Sequence, residues 1–218
     1  MFFETLESRS LMSASAFSTQ VTIDQLNIRA ALLKFRYDAV TSSATLVADC
    51  SALQAAEVKK ESILAPLILD LHREVKAMRH TLDLDKLTES SAVLSDESVV
   101  VAELAKYASD NGNEAARTAD RIQLRKDRVQ LQDDEIAGLN ARLATRESEQ
   151  TALTADLSAI TAALGTDTGA SSALQTAVTK SVTDRTASLA TFQTDLQSII
   201  TARTHLVADL NASLTLTT

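Results

Sequence analysis

The residues of this chain best suited to metal ligation or nucleophilic chemistry are three histidines, His72, His80 and His205, and one cysteine, Cys50. A helical metal site needs HExxH, or paired ExxH motifs, so that ligands three or four residues apart meet on one face. Neither pattern occurs. His72 and His80 stand eight apart and can share a helix face, but no carboxylate completes a ligand set. The carboxylate pairs Glu57/Glu61 and Asp70/Glu74 have the spacing that decorates most acidic helices. Asp83-Leu84-Asp85 lacks the glycine and terminal Glu of a calcium loop. Asp133-Asp134-Glu135 reads as a solvated helix face. A single thiol forms no intrachain disulfide and no CxxC site, so Cys50 reads as a small buried hydrophobe. Its alternative is an intermolecular disulfide in an oxidising compartment. No phosphate loop or nucleophile elbow is present. The sequence nominates no catalytic, cofactor-binding or metal-binding residue and predicts no enzyme.

The elements that would have to position any site are helical. Of the 218 residues 45% are hydrophobic, enough for a packed core, yet aromatics make up 3%, with no Trp, 4 Gly and 1 Pro. Strand-rich and α/β folds need the turn glycines and β-formers that are missing here. The net charge of −8 argues against nucleic acid, whose affinity rests on Lys and Arg neutralising phosphates. Arg117, Arg121, Arg125 and Arg128 form a short basic run, but Asp120, Asp127, Asp133 and Asp134 interleave it, and it reads as a solvated face. The longest apolar run, Ile63 to Leu69, contains Pro66 and falls far short of the roughly 18 residues of a membrane span.

Four helical stretches follow residue 22. The first opens at Thr22 or Asp24 and should run to about Lys60 or Ser62. Leu26, Leu33, Tyr37, Val40, Ala44 and Val47 form one stripe on threes and fours. Ile28, Leu32, Phe35, Ala39, Leu46 and Leu53 form a second beside it. Together they predict one wide buried face. Pro66 predicts a break over residues 62 to 66 and suits the first turn of the next helix. Asp83-Leu84-Asp85 is a weaker expected break. Asp110-Asn111-Gly112-Asn113 is a loop, with Gly112 free to turn left-handed and Asn113 placed to cap the next helix. Beyond it Ile122, Val129, Ile136, Leu139, Leu143, Leu153, Leu157, Ile160 and Leu164 keep a heptad register. After a turn at 165–169, Val178, Val182, Leu189, Phe192, Leu196, Ile199, Leu206 and Leu210 do the same. So short a connection forces antiparallel neighbours.

The predicted fold is therefore all-α. It is an elongated four-helix up-down-up-down bundle, a helical first half over 22–112 and then an antiparallel coiled-coil hairpin over 113–218; the alternative is a rod-like hairpin with a compact cluster of shorter helices at its base. Residues 1–21 are set aside as a poorly ordered leader and linker. No tandem repeat of 20–50 residues stands out. Ser and Thr make up roughly a fifth of the chain, and Lys180 is the only lysine after Lys126. A hydroxyl-rich surface with little lysine fits an extracellular protein.

Phe3, Glu4, Leu6, Glu7, Arg9, Leu11, Ser13 and Ala14 follow, in order and spacing, the pattern F-E-x-L-E-x-R-x-L-L-S-A. This resembles the N-terminal segment of many surface and secreted proteins of planctomycete bacteria. The departures are Thr5, Ser8, Ser10 and Met12, which leave the Glu, Arg and Leu framework intact. The resemblance covers about fifteen residues and implies a destination, extracellular or cell-surface, rather than an activity. The expected function is that of a structural or interaction protein, a spacer, scaffold or oligomerising element, with a protein partner or self-association. The alternative is a membrane-active bundle that inserts amphipathic helices into a bilayer. Neither reading calls for a cofactor, a nucleic acid or a small-molecule substrate.

Overall fold

The computed structural model describes the backbone of residues 4–56, 64–110, 112–166 and 171–215. Side chains are described over the same stretches apart from 4–18, 54, 65, 70–72 and 74–92. Among the described residues four helices follow one another: α1 (Glu4–Ala55), α2 (Leu64–Ser109), α3 (Glu114–Thr166) and α4 (Ser172–Thr215). The all-α bundle expected from composition and periodicity is what forms. Among the described residues there is no strand.

Each boundary has a local cause. Pro66 lies in the first turn of α2, where its missing N–H is no loss. Between α2 and α3, Gly112 takes φ of 98°, and the Asn113 side chain accepts from the Ala116 N–H at 3.1 Å, capping α3. Ser171 caps α4 in the same way, its Oγ accepting from the Leu174 N–H at 3.1 Å. Many Thr and Ser residues inside the helices donate their hydroxyl to the carbonyl four residues back. Thr41, Thr45, Thr161, Thr179, Thr183 and Thr204 are examples. Their hydroxyls are thus satisfied within their own helix, which is how so hydroxyl-rich a sequence stays helical.

Four expectations differ from what forms. Helix α1 runs back to Glu4, through the stretch read as leader and linker, and ends at Ala55 rather than near residue 60. Helix α2 continues through Asp83-Leu84-Asp85, because two carboxylates without a Gly or Pro do not break a backbone ladder that is otherwise intact. Helix α3 passes through Gly165 to Thr166; most of the expected 165–169 turn lies outside the described residues. The fourth difference concerns α1's apolar face and is taken up below.

The chain forms two compact units that do not divide at residue 112. The first comprises Met1–Leu32, Lys86–Asn140 and Ser198–Thr218; the second comprises Leu33–Asp85 and Ala141–Gln197. Each draws a stretch from all four helices. In the first unit, Arg125 reaches the Ser213 carbonyl and Glu135 pairs with Arg203, ten residues on along α3 and ten back along α4. These two helices are therefore antiparallel. Its apolar core joins Ile28 of α1 to Leu206 and Leu210 of α4, with Val129 of α3 alongside. The core of the second unit is larger. Leu53, Leu64, Leu153, Leu157, Ile160, Leu174 and Val178 are buried together, and they come from all four helices. The α3 and α4 positions read from the heptad pattern are those that face inward.

Candidate functional site

Two features stand out: a set of buried aspartates, and an apolar face of α1 turned outward. The aspartates come first. In the second unit, Asp195 of α4 is buried and pairs with Lys34 of α1, which also bonds its own helix neighbour Asp38 at 2.6 Å. Fifteen residues on along α1, buried Asp49 pairs at 2.7 Å with Lys180, fifteen residues back along α4. Lys180 in turn bonds its own neighbour Asp184 at 2.5 Å. The equal and opposite steps make α1 and α4 antiparallel here. Both lysine side chains are more than half exposed, at 58% and 56%, so each cap is a charge-assisted bond from an exposed lysine to a buried carboxylate.

The first unit repeats the device between α2 and α3. Lys106 bridges buried Asp120 at 2.6 Å and its own neighbour Glu103 at 3.2 Å. The lysines respond as expected. Asp195 holds the Lys34 ammonium above its ordinary range, Asp120 does so for Lys106, and Asp184 with Asp49 does so for Lys180. Conversely Lys34 lowers Asp38, and Lys106 lowers Asp120. In each of Asp49, Asp120 and Asp195 the second carboxylate oxygen is buried without a donor among the described residues. Their desolvation is only partly offset, which makes the lysine cap structurally important.

Two further aspartates in the first unit have carboxyls as neighbours instead of lysines. Asp24 is buried against Asp209, with Gln20 donating to it at 3.3 Å. Burial, then the Asp209 carboxyl, pushes Asp24 up from the carboxylate range, and nearby His205 opposes the shift. Asp96 is raised in the same way by burial and by Asp134. A pair of this kind shares a proton more readily than it carries two charges.

These placements revise the acidic and basic runs. Asp134 and Glu135 face inward, toward Asp96 and Arg203, rather than lying on a solvated face. Of the four arginines, Arg117 and Arg121 donate to the Tyr107 hydroxyl, at 2.8 and 3.2 Å, and lie 4.7 and 5.6 Å from its ring centre. Arg125 reaches α4. Only Arg128 keeps the expected solvated setting. The reason is geometric: on a helix packed on two sides, long polar side chains at the edges of the seam reach across it. Cys50 is partly buried and free. His205 is exposed, while the side chains of His72 and His80 lie outside the described residues. Among the described residues no group of His, Cys, Asp and Glu could hold a metal ion, and no helix is long and apolar enough to cross a membrane.

The second feature corrects the reading of α1. Of its two apolar stripes the second faces the core: Ile28 and Leu53 are buried, Leu32, Phe35 and Leu46 are partly so, and Ala39 alone of its members is exposed. The first stripe points to solvent, with Leu33 at 64%, Tyr37 at 71%, Val40 at 70% and Val47 at 64% exposure in the second unit. Ile23 and Leu26, in the first unit, are exposed too. The two stripes are too far apart around the helix for both to enter one seam. The stripe that goes inward is the one flanked by Lys34 and Asp49, which α4 meets with Asp195 and Lys180. In the second unit Phe35 meets Phe192 edge to face at 5.2 Å, and the Arg146 guanidinium lies over the Phe192 ring at 4.5 Å. A smaller outward stripe, Leu94, Val101 and Leu104, marks α2 in the first unit.

No known protein family, curated protein or solved structure matches this chain.

Proposed function

We propose that this chain is an exported or cell-surface α-helical structural and interaction protein that works by helix-on-helix contact rather than by catalysis. The observation that carries this reading is the outward stripe of α1. Leu33, Tyr37, Val40, Ala44 and Val47 alternate by fours and threes, the spacing with which one helix receives another. Large exposed apolar patches of this kind mark interaction sites on soluble proteins. The N-terminal resemblance over Phe3 to Ala14 supports the export half of the proposal.

The occupant we propose is the same stripe of a second copy, antiparallel and centred on Val40. That arrangement sets Leu33 against Val47 and large Tyr37 against small Ala44. It also keeps the two Arg36 side chains, exposed beside the stripe, about 12 Å apart along the pair. From Leu33 to Val47 the stripe is about 21 Å long. A contact of that size is small, so the association is weak and concentration-dependent.

Sedimentation equilibrium over a wide concentration range tests the interaction half. The native chain should gain mass with concentration, and Val40→Glu should abolish the gain with helicity unchanged. A chain that stays monomeric throughout, or a Val40→Glu variant that associates as before, overturns the proposed contact. Flotation of the native chain with lipid vesicles, lost in Val40→Glu, would instead favour the membrane-active alternative. Fractionation of the native host tests export: recovery of the protein only from the cytoplasm would refute it.

A further inference from the structure

The ladder between α1 and α4 is written twice. Lys34, Asp38 and Asp49 of α1 correspond to Lys180, Asp184 and Asp195 of α4, each pair 146 residues apart. The same offset matches Ala31 with Ala177, Ser42 with Ser188, Ala44 with Ala190 and Thr45 with Thr191, making seven identities over 31–49 and 177–195. Burial follows the correspondence. Asp49 and Asp195 are buried, Lys34 and Lys180 are exposed, and Asp38 and Asp184 are intermediate. Leu46 and Phe192, both partly buried, also correspond. Each helix therefore presents, in antiparallel sense, the complement of its own pattern: a lysine, and fifteen residues on, the aspartate that a lysine caps.

We infer that α1 and α4 are interchangeable pairing partners, so that a second copy of this chain can be joined by helix exchange, α4 with α4 and α1 with α1, through the same Lys–Asp ladder. In an α4–α4 pair Lys180 of each copy meets Asp195 of the other. In an α1–α1 pair Lys34 of each meets Asp49 of the other. No new kind of contact is needed. What favours the intramolecular pair is the high effective concentration of two helices on one chain, together with Phe35 and Phe192. The residue corresponding to Phe35 is Ser181, so α4 against α4 loses the ring-on-ring contact. This surface is the inner face of both helices and is distinct from the outward stripe proposed above.

Charge reversal separates the two pairings. In K180D/D184K/D195K, made in the full chain, α4 keeps its own neighbour pair and its complementarity to another α4. It now opposes α1 with lysine against lysine and aspartate against aspartate. The background carries Val40→Glu, so that the outer face contributes nothing. By light scattering and circular dichroism this variant should be a helical dimer of twice the 23.4 kDa chain mass, whereas the background alone is a monomer. Adding K34D/D38K/D49K restores complementarity between α1 and α4 and should return the monomer. A helical monomer for the α4 reversal would overturn the inference, because the ladder would then not choose the partner. A monomer that has lost helicity would overturn it as well, because α4 would have failed to pair with itself. A dimer that persists in the six-fold reversal would show association unrelated to the ladder and would also overturn it.

Discussion

Truncating one leucine from each stripe of α1 tests which face of that helix is inside. Leu53 is 8% exposed and packs in the core of the second unit with Leu64, Leu153 and Leu157. Leu53→Ala removes about three methylene equivalents at roughly 0.8 kcal/mol each, or about 2.4 kcal/mol of transfer free energy. The cavity left behind adds to this, for a total of about 2–5 kcal/mol. Leu33 lies on the same helix, twenty residues earlier, and is mostly in water. Leu33→Ala gives up little burial, and alanine's better helix propensity offsets part of that, so the change should stay within about 0.5 kcal/mol. Urea unfolding followed at 222 nm, at protein concentrations low enough to prevent self-association, reads both. With a slope of 1–3 kcal/mol per molar, about 3 kcal/mol moves the midpoint by about 1 M or more. Comparable shifts for Leu33→Ala and Leu53→Ala, or a larger one for Leu33→Ala, would refute the assignment of the inward face.

Other expectations follow from single positions. Leu157→Asp places an unpaired charge in the second unit's core and should cost several kcal/mol, whereas Thr154→Ala, exposed one turn away, should stay within about 0.5 kcal/mol; melting curves compare them. Gly112→Ala forces a side chain into a left-handed backbone and should cost about 1–2 kcal/mol, although its Cβ would meet open space; no measurable change would mean that the turn differs. Asn113→Ala removes the α3 cap and should cost about 1 kcal/mol in the same assay. Asp24 has a raised carboxyl, so its contribution is full below the ordinary carboxylate pKa and is lost as pH rises through the folded value. Asp24→Asn should therefore be more stable than the native chain at pH 7, with the advantage fading by about pH 4; equal midpoints at both would refute the carboxyl pair. The lysine ladder has the same sign in a more alkaline window. Raised Lys34, Lys106 and Lys180 contribute fully below the ordinary lysine pKa, and that contribution is lost as pH climbs through their folded values.

The all-α class, the 110–113 loop with its Asn113 cap, the proline in the first turn of α2 and the inward positions of α3 and α4 were all legible. Each is encoded locally, in a breaker, a cap or one heptad stripe. The face of α1 was not legible, because hydrophobicity offers two stripes and does not rank them. The choice lies in α4, whose Asp195 and Lys180 pair with Lys34 and Asp49 beside the second stripe. The ladder itself left a signal that a search for tandem repeats passes over. Lys34, Asp38 and Asp49 recur 146 residues away, and Asp24, Lys34 and Asp38 recur 72 residues on as Asp96, Lys106 and Asp110. Such spacing has meaning only once antiparallel partners are known. Asp134 and Glu135 were misread for the same reason: a carboxylate beside a seam looks solvated until the helix across the seam supplies Arg203 or Asp96.

The most direct test of the account is the pairing of α1 with α4. In a Cys50→Ser background, the cysteine pairs K34C/D195C and D49C/K180C, treated with a short bismaleimide, should each link within one chain and migrate as monomers. K34C/K180C, whose positions differ by fifteen residues or about 22 Å along the antiparallel pair, should not link. Efficient intrachain linking of K34C/K180C, or none in either matched pair, would contradict the antiparallel ladder on which both the outward face of α1 and the exchange of helices depend.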